Sequence, residues 1–337
     1  METPAAAKTR QEKSPQVSPH AFWGEAMASE EPLRESRFPL VNVQTALAWR
    51  IIEPLLEGSP RVLDAGAGAG RYSLPIAAAG HRVTHLDFSD AMLSIAMTEA
   101  ARQGLSGIDF VRGDVKALKF IYSRDYGLTL CLDAPISYAY PDHGQALAEV
   151  CRVTAGTVVV MVSSRSGVLP FFIDMDLSGE FLPPGYDQPI DPLLMTEGIW
   201  RDGVEAFPPE LREHLAREGK LTPPDYAFTP EELTAGLNRE GFEVVQLGGP
   251  GALARSIRPE SLAKIQGNAA LYERFIQLSL EFDFNTHNLG LGGVNLLAVA
   301  RRRSNGASGH GKLPKLPKPP KKPKKRNSSR VFKSRAS

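Results

Sequence analysis

Cysteine is nearly absent: Cys131 and Cys151 are the only two in 337 residues. Two thiols make no framework for a disulfide-stapled secreted fold; they fit a reducing compartment, with both buried and no disulfide expected. No His/Cys cluster has metal-ligand spacing, so no metal site is expected. Long apolar runs are missing as well. The most apolar window, Thr157 to Ile173, is broken by Ser163, Ser164, Arg165 and Pro170, which leaves no bilayer-spanning stretch. Residues 1–20 lack the apolar segment of a secretory signal. A cytoplasmic location is the resulting expectation.

Acidic residues are absent from one region in particular. Residues 302–337 hold 13 Lys or Arg and no Asp or Glu, so residues 1–301 keep 26 basic against 38 acidic side chains, and the net charge of +1 hides a body of −12. The Lys- and Pro-rich tail, 304–337, has almost nothing apolar to bury and is expected to be disordered. Such a run suits weak, non-specific contact with nucleic acid or an anionic surface, or simply solubilises the chain. Residues 1–20 are expected to form a disordered leader by the same reasoning.

The chain as a whole has a globular composition, 42% apolar and 23% charged. Phe38 to Leu56 carries apolar positions at mostly helical spacing, ahead of a Gly-Ser-Pro break at 58–60. Strands are then expected at 61–65, 82–87, 108–112, 127–132 and 157–162. A helix begins at Ser89, which can cap it, and another starts at Pro141. Strand and helix alternating at this pitch predict a doubly wound, mostly parallel sheet with helices on both faces. The pattern breaks over 164–228, where nine prolines, several aromatics and 12 acidic against 5 basic residues predict an inserted lid over the sheet's functional edge. It resumes at Thr229, whose Thr-Pro-Glu-Glu is a capping box, and continues through a strand at 242–247, a helix marked by Leu271, Phe275, Leu278 and Phe282, and a last strand at 294–300. The organisation expected is a core over 21–163 and 229–303 around the lid.

VLDAGAGAGRY, residues 62–72, is the most informative stretch. A strand running into Gly66, Gly68 and Gly70 and then a helix lets backbone pass close to a nucleotide-like ligand. A dinucleotide fingerprint would need its third glycine at position 71, where this chain has Arg71, and it does not require an acid at position 64, where this chain has Asp64.

DAGAGAG resembles the first motif of the class I S-adenosylmethionine-dependent methyltransferases, and three further segments follow at matching intervals. HLDFSDAML resembles the family's second-strand end, FVRGDV its third and LCLDAPISY its fourth, and NLLAVARR resembles its final antiparallel strand. The resemblance covers about 38–163 and 229–303 and implies a seven-stranded Rossmann-like sheet with an antiparallel last strand. It implies that S-adenosylmethionine is the cofactor and that Asp87 binds its ribose, with Phe88 packing on adenine and Met92 in the helix start after it. Asp114 and Val115 would meet the adenine edge, and Leu132 would lie beside the methionine portion. Physical reasoning adds that the Asp64 carboxylate suits the ligand's α-ammonium, where it would repel a diphosphate.

Methyl transfer from a sulfonium needs mainly positioning and exclusion of water, so no catalytic residue need be advertised. Tyr138 and His143, after the fourth strand, are the candidates for orientation and for a base. His143 could equally be an exposed residue in the first turn of a helix. Arg71 and Tyr72 could meet the cofactor's carboxylate or only the surface. The expected reaction is methylation of an O, N or C nucleophile on a small-molecule acceptor beneath the acidic, aromatic-rich lid. The alternative is an RNA-modifying enzyme tethered by the basic tail. A cofactor-binding interaction module is a third class, and oligomeric state is left open.

Overall fold

The computed structural model describes residues 17–23, 27–178, 201–204, 209–218, 221–285, 287 and 289–303. These belong to one unit, 1–307. The basic tail, most of the leader and much of the expected lid fall outside the described residues.

Seven strands form one sheet: β1 (Val62–Ala65), β2 (Val83–Asp87), β3 (Ile108–Arg112), β4 (Tyr126–Cys131), β5 (Thr154–Ser163), β6 (Phe242–Gly248) and β7 (Asn295–Arg302). Their order is β3-β2-β1-β4-β5-β7-β6. β1 to β5 pair in parallel, and β7 is antiparallel to both of its neighbours, the doubly wound fold expected from the alternation. The chain order reverses about β1, which leaves a crevice at the carboxyl ends of β1 and β4.

The sheet's residue alternation divides the core in two. Val158, Val160 and Val162 face one apolar cluster with Leu63, Leu86 and Phe242. Val159 and Met161 face the other with Val62, Val83, Leu130 and Val299. The helices His143–Val153 and Pro230–Arg239 cover the first side, while Pro39–Ile52, Ser73–Ala78 and Ala269–Asp283 cover the second. Burial on both faces explains why β5 reads as an unbroken apolar run.

Local signals hold where they are chemical. Ser89 Oγ accepts from Met92 N at 3.2 Å, and Thr229 and Glu232 form the reciprocal capping box. Two expectations are corrected. The helix expected to start at Pro141 starts at His143, with the short helix Pro135–Tyr138 ahead of it. In Ala269–Asp283 the buried residues are Phe275, Ile276, Ser279, Leu280 and Asp283, whereas Leu271 and Leu278 are exposed. That stripe is rotated because Asp283, 1% exposed, is drawn in to accept the Gly251 and Leu253 backbone N–H groups at 2.8 and 2.9 Å. Asp283 is thus a structural anchor, and His287 is exposed.

Of the expected lid, the described parts are the helices Arg165–Ser178 and Pro209–Arg217, residues 201–204, and the return 221–228. The return is tied to the end of β5: Asp225 accepts from Ser163 Oγ at 2.7 Å, and Phe228 N donates to Ser163 O at 2.8 Å. Leader residues Pro19–Ala21 form a helical turn begun by Ser18.

Candidate active site

One pocket opens at the carboxyl end of the sheet. It is lined by Asp64, Gly66, Gly68, Asp87, Phe88, Met92, Asp114, Val115 and Leu132, with Tyr138 among the lining residues. Four segments separated by up to 70 residues in sequence therefore meet at one place. Gly70 is not part of the lining. Its φ is +95°, and an added Cβ would lie 2.7 Å from Leu74 Cγ, so it serves the turn into the helix.

The glycine loop is fastened to β2. Gly66 N and Ala67 N both donate to Leu86 O, at 2.8 and 3.0 Å, and Gly68 N donates to Asp87 Oδ2 at 2.8 Å. The other oxygen of Asp87 accepts from Ser89 N at 2.8 Å. Asp87 is thus the clasp between loop and helix as well as a pocket wall, each oxygen keeping a lone pair for a ligand. Burial pushes its carboxyl above the usual range, against the pull of those N–H groups. At Gly68 (φ +55°) an added Cβ would meet nothing within 4 Å, because the loop there borders open pocket.

Asp64 is 1% exposed, and its Oδ2 has no hydrogen-bond partner among the described residues. Burial pushes its carboxyl up to about 7, opposed by hydrogen bonds from Ser73. The Tyr72 hydroxyl, also on the pocket, is a second buried group without a partner. Unpaired polar atoms in a cavity wall are costly unless a ligand meets them. At the end of β4, Asp133 and Ala134 adopt φ of +62° and +67°. Two successive non-glycine residues in the left-handed region are strained, a feature that clusters at functional sites.

The site has a side that composition did not foretell. Residues 19–23 and 27–37, partly assigned to a disordered leader, run along the pocket. His20 packs on Phe88 with ring centroids 4.2 Å apart, and Trp23 meets Tyr138 edge-on at 5.1 Å. Glu31 and Arg34 join Arg71 and Asp133 in a charge cluster: Arg71 lies 2.7 Å from Glu31 and 3.2 Å from Asp133, and Arg34 lies 2.9 Å from Glu31. Arg71 is therefore a pocket residue and not a surface one. The cue in sequence was small: Phe22 and Trp23 side by side, and charged residues with no periodic apolar pattern.

His143 is not part of the pocket lining. Its ring stacks on Tyr226 at 3.9 Å and meets Phe228 edge-on at 5.6 Å. Burial lowers its pKa below the usual imidazole range. Both cysteines are buried, and burial pushes their thiols up. Among the described residues no group of three or more His, Cys, Asp or Glu could hold a metal, and no helix is long and apolar enough to cross a membrane.

Residues 62–156, which contain the glycine loop, Asp87, Asp114 and Leu132, match a family model described as a methyltransferase domain. By that match the segment is a methyltransferase domain. The chain is 37% identical over 116 residues to a demethylmenaquinone methyltransferase of Renibacterium salmoninarum, a match spanning 33% of this chain and 44% of that protein. It is 30% identical over 112 residues to a magnesium-protoporphyrin O-methyltransferase of Rhodobacter capsulatus, spanning 33% and 49%. The matches thus span less than half the length of these curated relatives. A magnesium protoporphyrin IX methyltransferase from Synechocystis PCC 6803, solved with S-adenosylhomocysteine, shares 15% identity at a TM-score of 0.49, covering 84% of this chain and 98% of that one.

The pocket fits S-adenosylmethionine, the cofactor that the sequence motifs imply. Its floor carries the carboxyls of Asp64, Asp87 and Asp133, suited to an ammonium and a sulfonium and hostile to phosphates. Asp64 Oδ2, without a partner among the described residues, is an acceptor in the pocket wall.

Proposed function

We propose that the chain transfers the methyl group of S-adenosylmethionine to an O, N or C nucleophile of a small-molecule acceptor. The observation that carries this reading is the convergence of the glycine loop, Asp87, Asp114 and Leu132 on one pocket that also holds the aromatic pair Tyr138 and Trp23. The bound cofactor supplies an electrophilic methyl on a good leaving group. The chain's part is to orient and to exclude water. Asp87 and the backbone of the glycine loop hold the ribose side, Phe88 packs on the base, and Asp64 takes the ammonium. Tyr138 and Trp23 offer an apolar, electron-rich wall beside the methyl, which suits a flat or cationic acceptor. Relatives named for a quinone and a porphyrin support an acceptor with a ring system. The segment 164–228 covers the acceptor and sets its identity, and a cytoplasmic location fits this role.

His143, packed between aromatic rings away from the pocket lining, orders the connection between β4 and the lid's return, and Tyr138 is the better candidate to orient the acceptor. The test is methyl transfer from labelled cofactor to fractionated metabolites and, in parallel, to RNA. Label entering small molecules with the chain ending at Arg303 supports the proposal. Label entering RNA alone, and only with the full chain, overturns it.

A further inference from the structure

The pocket floor continues inward through two buried polar side chains that the methyl-transfer chemistry does not itself require. Asp64 and His85 are register partners on β1 and β2, so their side chains leave the sheet on the same face. Ser73, the first residue of the helix that follows the glycine loop, sits over both. Ser73 Oγ lies 2.6 Å from His85 Nδ1, and Ser73 is also the neighbour whose N–H and hydroxyl pull the Asp64 carboxyl down against its burial. Asp64, Ser73 and His85 are 1%, 0% and 0% exposed, in a layer otherwise filled by Val62, Ile76 and Val83. Three polar groups in such a layer cost stability that an apolar set would not.

We propose that His85 and Ser73 are positioning residues for the cofactor: His85 donates from Nδ1 to Ser73 Oγ, which turns the serine proton onto Asp64 and holds that carboxylate ready for the cofactor's α-ammonium. The inference rests on the S-adenosylmethionine reading of the pocket. Its consequence is coupling between cofactor binding and protons. The groups facing Asp64 are Asp87 from β2, Cys131 and Asp133 from β4 and the loop after it, and Arg71 and Tyr72 from the glycine-loop side. Two of these are acids that oppose its charge, and Arg71 is already taken up by Glu31 and Asp133.

The sign follows directly. A buried carboxyl with its midpoint at about 7 is half protonated in the free protein at pH 7, and the ammonium binds only the ionised form. Binding therefore expels about half a proton per cofactor at pH 7, and affinity falls about fivefold from pH 7 to pH 6. His85, pushed down to about 4 by burial, stays neutral over this range.

The experiment is calorimetry of S-adenosylmethionine binding to the full chain in phosphate and in Tris, across pH 6 to 7.5. The heat difference between buffers counts the protons released. Ser73→Ala and His85→Leu remove the support of the carboxylate, so their midpoint moves up and the loss from pH 7 to pH 6 approaches tenfold. His85→Gln, which retains a donor, restores the original profile. Asp87 adds to the release but does not respond to these changes. Nitrogen NMR of the free protein should show His85 protonated at Nδ1. Binding with no proton release, or Ser73→Ala and a folded His85→Leu with the unmodified profile, overturns the proposal alone. Absence of binding at every pH would instead sink the cofactor reading.

Discussion

Replacing Asp87 by alanine separates two roles that the structure merges in one side chain. The carboxylate receives the Gly68 and Ser89 backbone N–H groups, both at 2.8 Å, at 6% residue exposure. Deleting it leaves two donors without a partner. A fully buried orphan costs about 1–3 kcal/mol, and because the Gly68 donor borders open pocket and can take water, the expected loss of stability is about 2 kcal/mol in total. The ribose hydroxyls lose charge-assisted bonds at the same time, worth about 1.5–3 kcal/mol, or roughly ten- to 150-fold in affinity. Thermal melts of the free protein report the first effect, and calorimetry with S-adenosylhomocysteine reports the second. A folded Asp87→Ala variant that binds S-adenosylhomocysteine as tightly as the parent would refute the assignment of this pocket.

Gly66→Ala should destabilise by about 1–3 kcal/mol, measured by denaturant titration. Its φ is +75°, and the new Cβ would sit 2.5 Å from Pro135 Cγ; a neutral result would mean that the loop relaxes freely. Thr229→Ala removes the cap that receives Glu232 N at 3.1 Å and should cost about 1 kcal/mol, with cofactor affinity unchanged. Truncation after Arg303 removes 11 of the 13 basic groups of residues 302–337. It should abolish salt-sensitive retention on a nucleic-acid column while leaving turnover of a small acceptor intact; loss of that turnover would favour the RNA-directed alternative.

The strand ends were legible because their information is local. Asp64, Asp87 and Asp114 each close a short apolar run, and a doubly wound sheet brings such ends to one edge. Thr229 and Ser89 were legible for the same reason, since a cap needs only its own three neighbours. The side formed by residues 19–23 and 27–37 was not. His20 and Trp23 gain their meaning from Phe88 and Tyr138, more than 65 residues away, and no periodicity records such a pairing. His143 shows the converse. It lies where the fold's chemistry is expected, yet its ring is claimed by Tyr226, 83 positions further along. In the helix Ala269–Asp283 the apolar spacing allowed more than one face, and the buried Asp283 decided between them.

The position of β7 between β5 and β6 bears on how the chain is made. As a ribosome delivers the sequence, β5 is complete about 130 residues before its partner β7 appears, and β6 has nothing to pair with until then. The β5 edge, with its Val158-Val159-Val160-Met161-Val162 run, therefore waits unpaired while the intervening chain is synthesised. An apolar edge of this kind recruits other strands readily. The nascent protein is most vulnerable to intermolecular association during that interval, and pauses before codon 295 should lower the yield of folded protein more than pauses elsewhere.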